Sequence, residues 1–121
     1  MNDATATRME AACSLLAESE RRYLLYELAN HRSANLEDVI GQIAAWKHDT
    51  HPSQVDTEAR QRLYVSLVHN HLPRLADYGV IDYDLRSGDI VLDDGFDDLK
   101  PLLKQFKQTE DDPELRQLSS L

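Results

Sequence analysis

Six side chains of this 121-residue chain are of the types that grip another molecule through hydrogen bonds: Arg62, Ser66, His69, Asn70, Arg74 and Arg86. Counted at ~100° per residue from Arg62, the Ser66, His69 and Asn70 side chains fall on one polar arc of a helix, with Arg74 at its edge. Pro73 and Asp77 share that arc. An arginine fork fits guanine, an asparagine amide fits adenine, and serine or histidine can meet phosphates or base edges. Arg86 lies in a separate turn, where a cation can enter a minor groove. Such a set reads double-stranded DNA, or else it is an ordinary solvated helix face.

Other chemistries find less footing. His48, His51, His69 and His71 invite a metal, but His69 and His71 stand ~200° apart on a helix and cannot readily share one ion. No thiolate or carboxylate set completes a shell around them. His71 falls in the apolar arc and is expected to be a hydrogen-bonded core histidine. Cys13, the single cysteine, lies on an expected inner helical stripe and reads as packed. There is no glycine-rich phosphate loop, no His-Glu-x-x-His helix and no nucleophile elbow. No enzyme activity, cofactor or metal is expected. Asp93, Asp94, Asp97 and Asp98 read as solvated.

The elements that must position the six residues follow from periodicity. Residues 57–78 form one long helix with Tyr64, Leu67, Val68, Leu72 and Leu75 inward, ended by Gly79, which can adopt positive φ without penalty. Pro73 predicts a kink or a loosened turn near His69–Leu72. Residues 80–85 and 90–92 alternate as a hairpin around Arg86-Ser87-Gly88-Asp89. Upstream, Met9, Ala12, Cys13 and Leu16 mark a short amphipathic helix. Ser19 caps a second helix carrying Leu24, Leu25 and Leu28. His31 to Ala34 read as a connection, and Asn35 caps a third helix with Leu36, Val39, Ile40, Ile43 and Ala44 inward. A polar loop, 47–56, follows; it exceeds the ~3–4 residues of a minimal helix-turn-helix. After the hairpin, Phe96, Leu99, Leu102, Leu103 and Phe106 recur at helical spacing, with Pro101 tolerable in a first turn. Trp46 is expected at the core edge. The organisation is a flexible 1–8, a domain over 9–107 and a flexible acidic tail over 108–121.

Composition bounds the rest. Twenty-two acids against thirteen bases give a net charge of −9. Residues 57–91 hold five acids and four bases, −1, so −8 lies outside them. The acids are spread along the chain and Lys is scarce, which reads as adaptation to a salt-rich cytoplasm rather than one acidic docking block. No apolar run approaches the ~20 residues of a membrane span, and the first residues do not read as a signal peptide. A cytoplasmic location is expected.

Arg21-Arg22 with Leu24 and Leu28, Leu36-Glu37-Asp38-Val39 with Trp46, and above all His69-x-His71-Leu72-Pro73-x-Leu75 followed by Gly79-Val80-Ile81-x-Tyr83 carry a resemblance. Over residues 15–92 the chain resembles haloarchaeal winged-helix domains of unknown function related to ArsR-like transcriptional regulators. The resemblance implies a winged helix-turn-helix, mainly α with a small β-hairpin, that forms a homodimer and acts in transcription. The alternative function is a winged-helix protein–protein module that pairs through helices 9–17 and 97–107 without touching DNA.

Overall fold

A computed structural model describes residues 3–111, with side chains from Thr7 onward. Helix α1 runs Asp3–Leu16, α2 Ser19–His31 and α3 Leu36–Lys47. After a 3-10 turn at Pro52–Gln54 come α4, Thr57–Ser66, a π turn at Leu67–His71 and α5, Leu72–Asp77. The chain closes with α6, Phe96–Glu110. Strand β1, Ser33–Asn35, β2, Ile81–Asp84, and β3, Asp89–Leu92, form an antiparallel sheet in the order β1-β3-β2. The fold is mainly α with a small β wing. Among the described residues no helix is long and apolar enough to cross a membrane.

The core is built mostly from leucine and isoleucine on α2, α3 and the 57–77 rod, with Ile81 and Ile90 of the wing and Phe96, Leu99 and Leu103 of α6. Each helix has its local cause. The Asn35 side chain accepts from the Glu37 N–H at 3.0 Å and starts α3; the Asp56 side chain accepts from the Ala59 N–H at 2.8 Å and starts α4. Both satisfy donors that a helix start leaves open. Gly79 ends α5 with φ of 69°. Gly95 then permits a close crossing: its N–H donates to the Gly79 carbonyl at 2.9 Å, and a Cβ there would meet that oxygen at 2.6 Å.

The π turn decides how the rod faces the core. Proline at 73 has no N–H and its ring presses on the carbonyl four residues back. The chain answers with a wider turn, in which the Leu72 N–H donates to the carbonyl of Leu67, five residues earlier. Such a turn counts as one inserted residue and rotates everything beyond it back by ~100°. Leu63, Leu67, Leu72 and Leu75, all buried, then lie at ~100°, ~140°, ~180° and ~120° from Arg62, a single narrow stripe. In an uninterrupted helix Leu72 and Leu75 would stand at ~280° and ~220°.

Several expectations are corrected. The uninterrupted count placed Tyr64 inward; the inserted residue moves the core away from it, and Tyr64 is 42% exposed. Residues 33–35 are a strand, not a connection: Arg32, at φ 63°, turns the chain out of α2 so that Ala34 pairs with Ile90. The helix boundary at Ser19 carries no side-chain cap bond. Helix α1 begins well before Met9 and buries Leu15 and Leu16, leaving Met9 and Cys13 exposed. Pro101 lies beyond the first turn of α6, where it is exposed and the helix continues past it. Of the expected tail, Gln108, Thr109 and Glu110 belong to α6, and residues 112–121 lie outside the described residues.

Candidate nucleic-acid interface

The inserted residue that gathers the leucines also gathers polar groups. Arg74, ~120° from Arg62 in an uninterrupted helix, comes to ~20° once the π turn is counted. Arg62 on α4, His69 and Asn70 on the π turn and Arg74 on α5 are all exposed. None of the four side chains carries a hydrogen bond or ion pair among the described residues. Four donors therefore stand along one rod with their bonding capacity open. Arg86 is exposed in the hairpin turn, where its backbone N–H donates to Asp84 Oδ1 at 2.8 Å. The wing also exposes Asp82, Asp84 and Asp89, so its field is acidic apart from that arginine.

Ser66 is placed differently. Its hydroxyl is half-buried and donates to Glu20 Oε1 at 2.9 Å, within 3.0 Å of His71 Nε2. It belongs to an internal cluster and leaves the set of outward-facing residues. Its ~40° position from Arg62 puts it on the polar arc by count alone, near enough to the boundary for the hydroxyl to turn inward.

That internal cluster holds the rod. His71 and Arg21 are 3% and 4% exposed. Arg21 Nε donates to the Leu15 carbonyl at 2.7 Å and its terminal nitrogen to the Ser14 carbonyl at 3.0 Å, so it closes the end of α1. Its other terminal nitrogen lies 3.1 Å from His71 Nδ1. Across the ring, His71 Nε2 lies 3.0 Å from Glu20 Oε1, and Lys47 of α3 bonds the second carboxylate oxygen. Among the described residues every buried side-chain nitrogen and oxygen has a partner, as a buried polar network requires. The bond from His71, with help from Lys47 and Ser66, outweighs burial and holds the Glu20 carboxyl at about 2, from an ordinary 4.5. Burial lowers the Arg21 guanidinium from its ordinary value.

Beside the cluster, a cleft of about 200 Å³ between α3 and α4 is lined by Glu20, Lys47, His48 and Arg62 over Ala44 and Leu63. It brings Lys47 and His48 to the Arg62 end of the rod. Neither is among the six residues that the polar arc and the hairpin turn single out; their signal is a Lys-His pair at the end of an apolar helix. His69 and His71 point to different environments, one exposed and one buried. Among the described residues no three His, Cys, Asp or Glu side chains are arranged to hold a metal ion. Trp46 stacks on Tyr23 at the rim of α2 and α3.

Residues 13–91 match the family described as Domain of unknown function (DUF7344). The chain belongs to this family. The DUF7344 region spans the cluster, the rod and both strands of the hairpin up to Val91, and leaves α6 outside. No curated protein and no solved structure matches the chain.

Proposed function

We propose that the chain is a DNA-binding transcriptional regulator of a salt-adapted cytoplasm, related to the ArsR-like regulators, which reads duplex DNA with the 57–77 rod and its wing. The observation that carries this is the alignment of four unpartnered donors, Arg62, His69, Asn70 and Arg74, on the outer face of a helix that follows α3 and precedes a hairpin. A helix so placed suits a major groove, and a hairpin beside it suits the flanking backbone or minor groove. Asn70 and the arginines are the base readers, Lys47 and His48 reach the backbone from the cleft, and Arg86 serves the wing. Molar salt reduces screening distances to ~3 Å, so the many remote acids repel little and close contacts decide binding.

The test uses a random-sequence duplex library selected on the unaltered protein, followed by band shifts on the enriched duplex. Alanine at Arg62, Asn70 or Arg74 should each weaken binding by roughly 5- to 150-fold, the range of one good base contact, with melting temperature and oligomeric state unchanged. A library that enriches nothing in dilute or molar salt, or variants that retain the duplex fully, overturns the reading.

A second reading rests on a different surface. An apolar groove of about 610 Å³ runs between α1 and α6, lined by Met9, Ala12, Leu15, Tyr78, Leu99 and Leu102. Met9 and Tyr78 at its sides are 54% and 56% exposed. Here the chain is a winged-helix pairing module, a homodimer joined through this groove. Met9→Asp with Tyr78→Asp should then give a monomer in sedimentation; a dimer that survives both excludes the groove as its interface.

A further inference from the structure

We propose that Arg21 and His71 form a proton-operated latch that holds the reading face in register and opens in acid. The consequence for DNA rests on the reading proposed above; the latch itself does not.

Donors and acceptors fix where the ring proton sits. A guanidinium has only N–H groups to offer, so the 3.1 Å contact from Arg21 needs a lone pair on His71 Nδ1. The single ring proton is therefore assigned to Nε2, where it donates to Glu20 Oε1 at 3.0 Å. The polar groups facing the ring come from three helices: Glu20 and Arg21 from α2, Ser66 from α4, and Lys47 of α3 through Glu20. Arg74 of α5 adds positive potential at Arg21, and Glu18 opposes it.

A proton added at Nδ1 removes that lone pair and sets two donors head to head between two buried cations. One side must yield. Arg21 is tied by the Ser14 and Leu15 carbonyls, whereas His71 is the last residue of the π turn, a geometry with weaker claim on its backbone than a regular helix. The ring leaves, and the turn that sets the rotation between Arg62 and Arg74 relaxes. Histidine is the side chain whose charge changes nearest neutral pH, which makes a proton the natural key to this contact. The Glu20 carboxylate retains the imidazolium nearby and makes the opening reversible.

Nitrogen NMR of the full chain tests the latch, between about pH 8 and pH 5. At neutral pH the His71 ring should carry its proton on Nε2 and none on Nδ1. On acidification the backbone amides of 67–71 should move together with the ring in one single-proton step. A proton on Nδ1 at neutral pH, or amides that do not follow the ring, overturns the proposal. A His71→Gln chain, which keeps a donor toward Glu20 and cannot titrate, then joins the band shift. Unaltered protein should lose roughly tenfold in affinity from pH 7.5 to 5.5 relative to His71→Gln, within the usual strength of coupled sites. His48 and His69 are present in both chains, so whatever they contribute cancels from that ratio. Equal weakening of the two chains overturns the control of the reading face. A ring-and-amide step without DNA retention at any pH overturns the DNA reading and leaves the latch standing. The spectrum needs only the unaltered chain, so it decides for or against the latch even where His71→Gln fails to fold.

Discussion

Replacing Glu20 by glutamine removes one charge from the cluster and keeps its shape. The amide oxygen can still accept from the His71 ring or the Ser66 hydroxyl, so what is lost is the carboxylate's attraction for its donors, Lys47 included. The side chain is only 15% exposed, so water screens it little. Its carboxyl falls from 4.5 to about 2 on folding, and each tenfold change in proton affinity corresponds to ~1.36 kcal/mol. A group with a depressed folded value stabilises above its unfolded value and loses that contribution as pH falls toward the folded one. Ionised Glu20 therefore contributes about 3 kcal/mol at pH 7, still about 3 at pH 5 and only about 1–2 at pH 3. Urea unfolding of both chains at each pH, compared as a difference, cancels the other carboxylates. The gap between unaltered protein and Glu20→Gln should be near 3 kcal/mol at pH 7 and shrink by roughly half at pH 3. A gap that is absent at pH 7, or that stays constant down to pH 3, refutes the electrostatic account of the cluster.

Other outcomes follow from single contacts. Gly95→Ala should destabilise by ~2 kcal/mol or more in thermal melts, because its Cβ would strike the Gly79 carbonyl at 2.6 Å and backbone cannot step aside as a side chain can. Pro73→Ala should change stability by less than ~1 kcal/mol; a gain near the ~3 kcal/mol that proline costs in a regular helix would mean the π turn does not relieve it. Glu110→Ala should cost ~1.5–3 kcal/mol, since its carboxylate takes bonds from Arg22 and from the Tyr26 hydroxyl at 2.6 Å and so ties α6 to α2. The same variant should let Tyr26 ionise at lower pH in an absorbance titration, because burial first and then Glu110 push its phenol upward. For the DNA reading, log affinity against log salt should have a slope no steeper than about −4 per chain, as Lys47, Arg62, Arg74 and Arg86 are the few cations that surface offers to phosphates.

How much of this was legible in the residues depends on whether the cause was local. Asn35, Gly79 and the Phe96-x-x-Leu99-x-x-Leu102-Leu103 spacing each act within a few positions, and each element lies where its signal placed it. Strand β1 has no such signal: Ser33-Ala34-Asn35 is a strand because β3 lies beside it, with Ser33 opposite Val91 and Asn35 opposite Asp89. Tertiary pairing overrides a three-residue pattern. By position Arg21 and Glu20 are first-turn polar residues of α2. Their role depends on His71, 50 and 51 positions away, a distance that no periodicity spans. Spacing alone puts Arg62, Ser66, His69 and Asn70 on one polar arc with Arg74 at its edge; the π turn brings Arg74 in, and Ser66 separates only because its hydroxyl faces Glu20.

The rod between Thr57 and Asp77 shows why a proline that looks like a defect can carry the register. With one turn of constant pitch, its leucines spread over half the circumference and Arg74 drifts to the side of the helix; one inserted residue corrects both drifts at once. The buried stripe of Leu63, Leu67, Leu72 and Leu75 and the open stripe of Arg62, Asn70 and Arg74 are therefore two consequences of a single backbone event. Core packing holds that event from the inner side, and the Arg21–His71–Glu20 cluster holds it at the last residue of the turn. A change that restores regular pitch must expose leucine or misalign the donors. For this reason the outer face can be reset only through the inner one, where the Arg21–His71–Glu20 cluster grips the last residue of the turn.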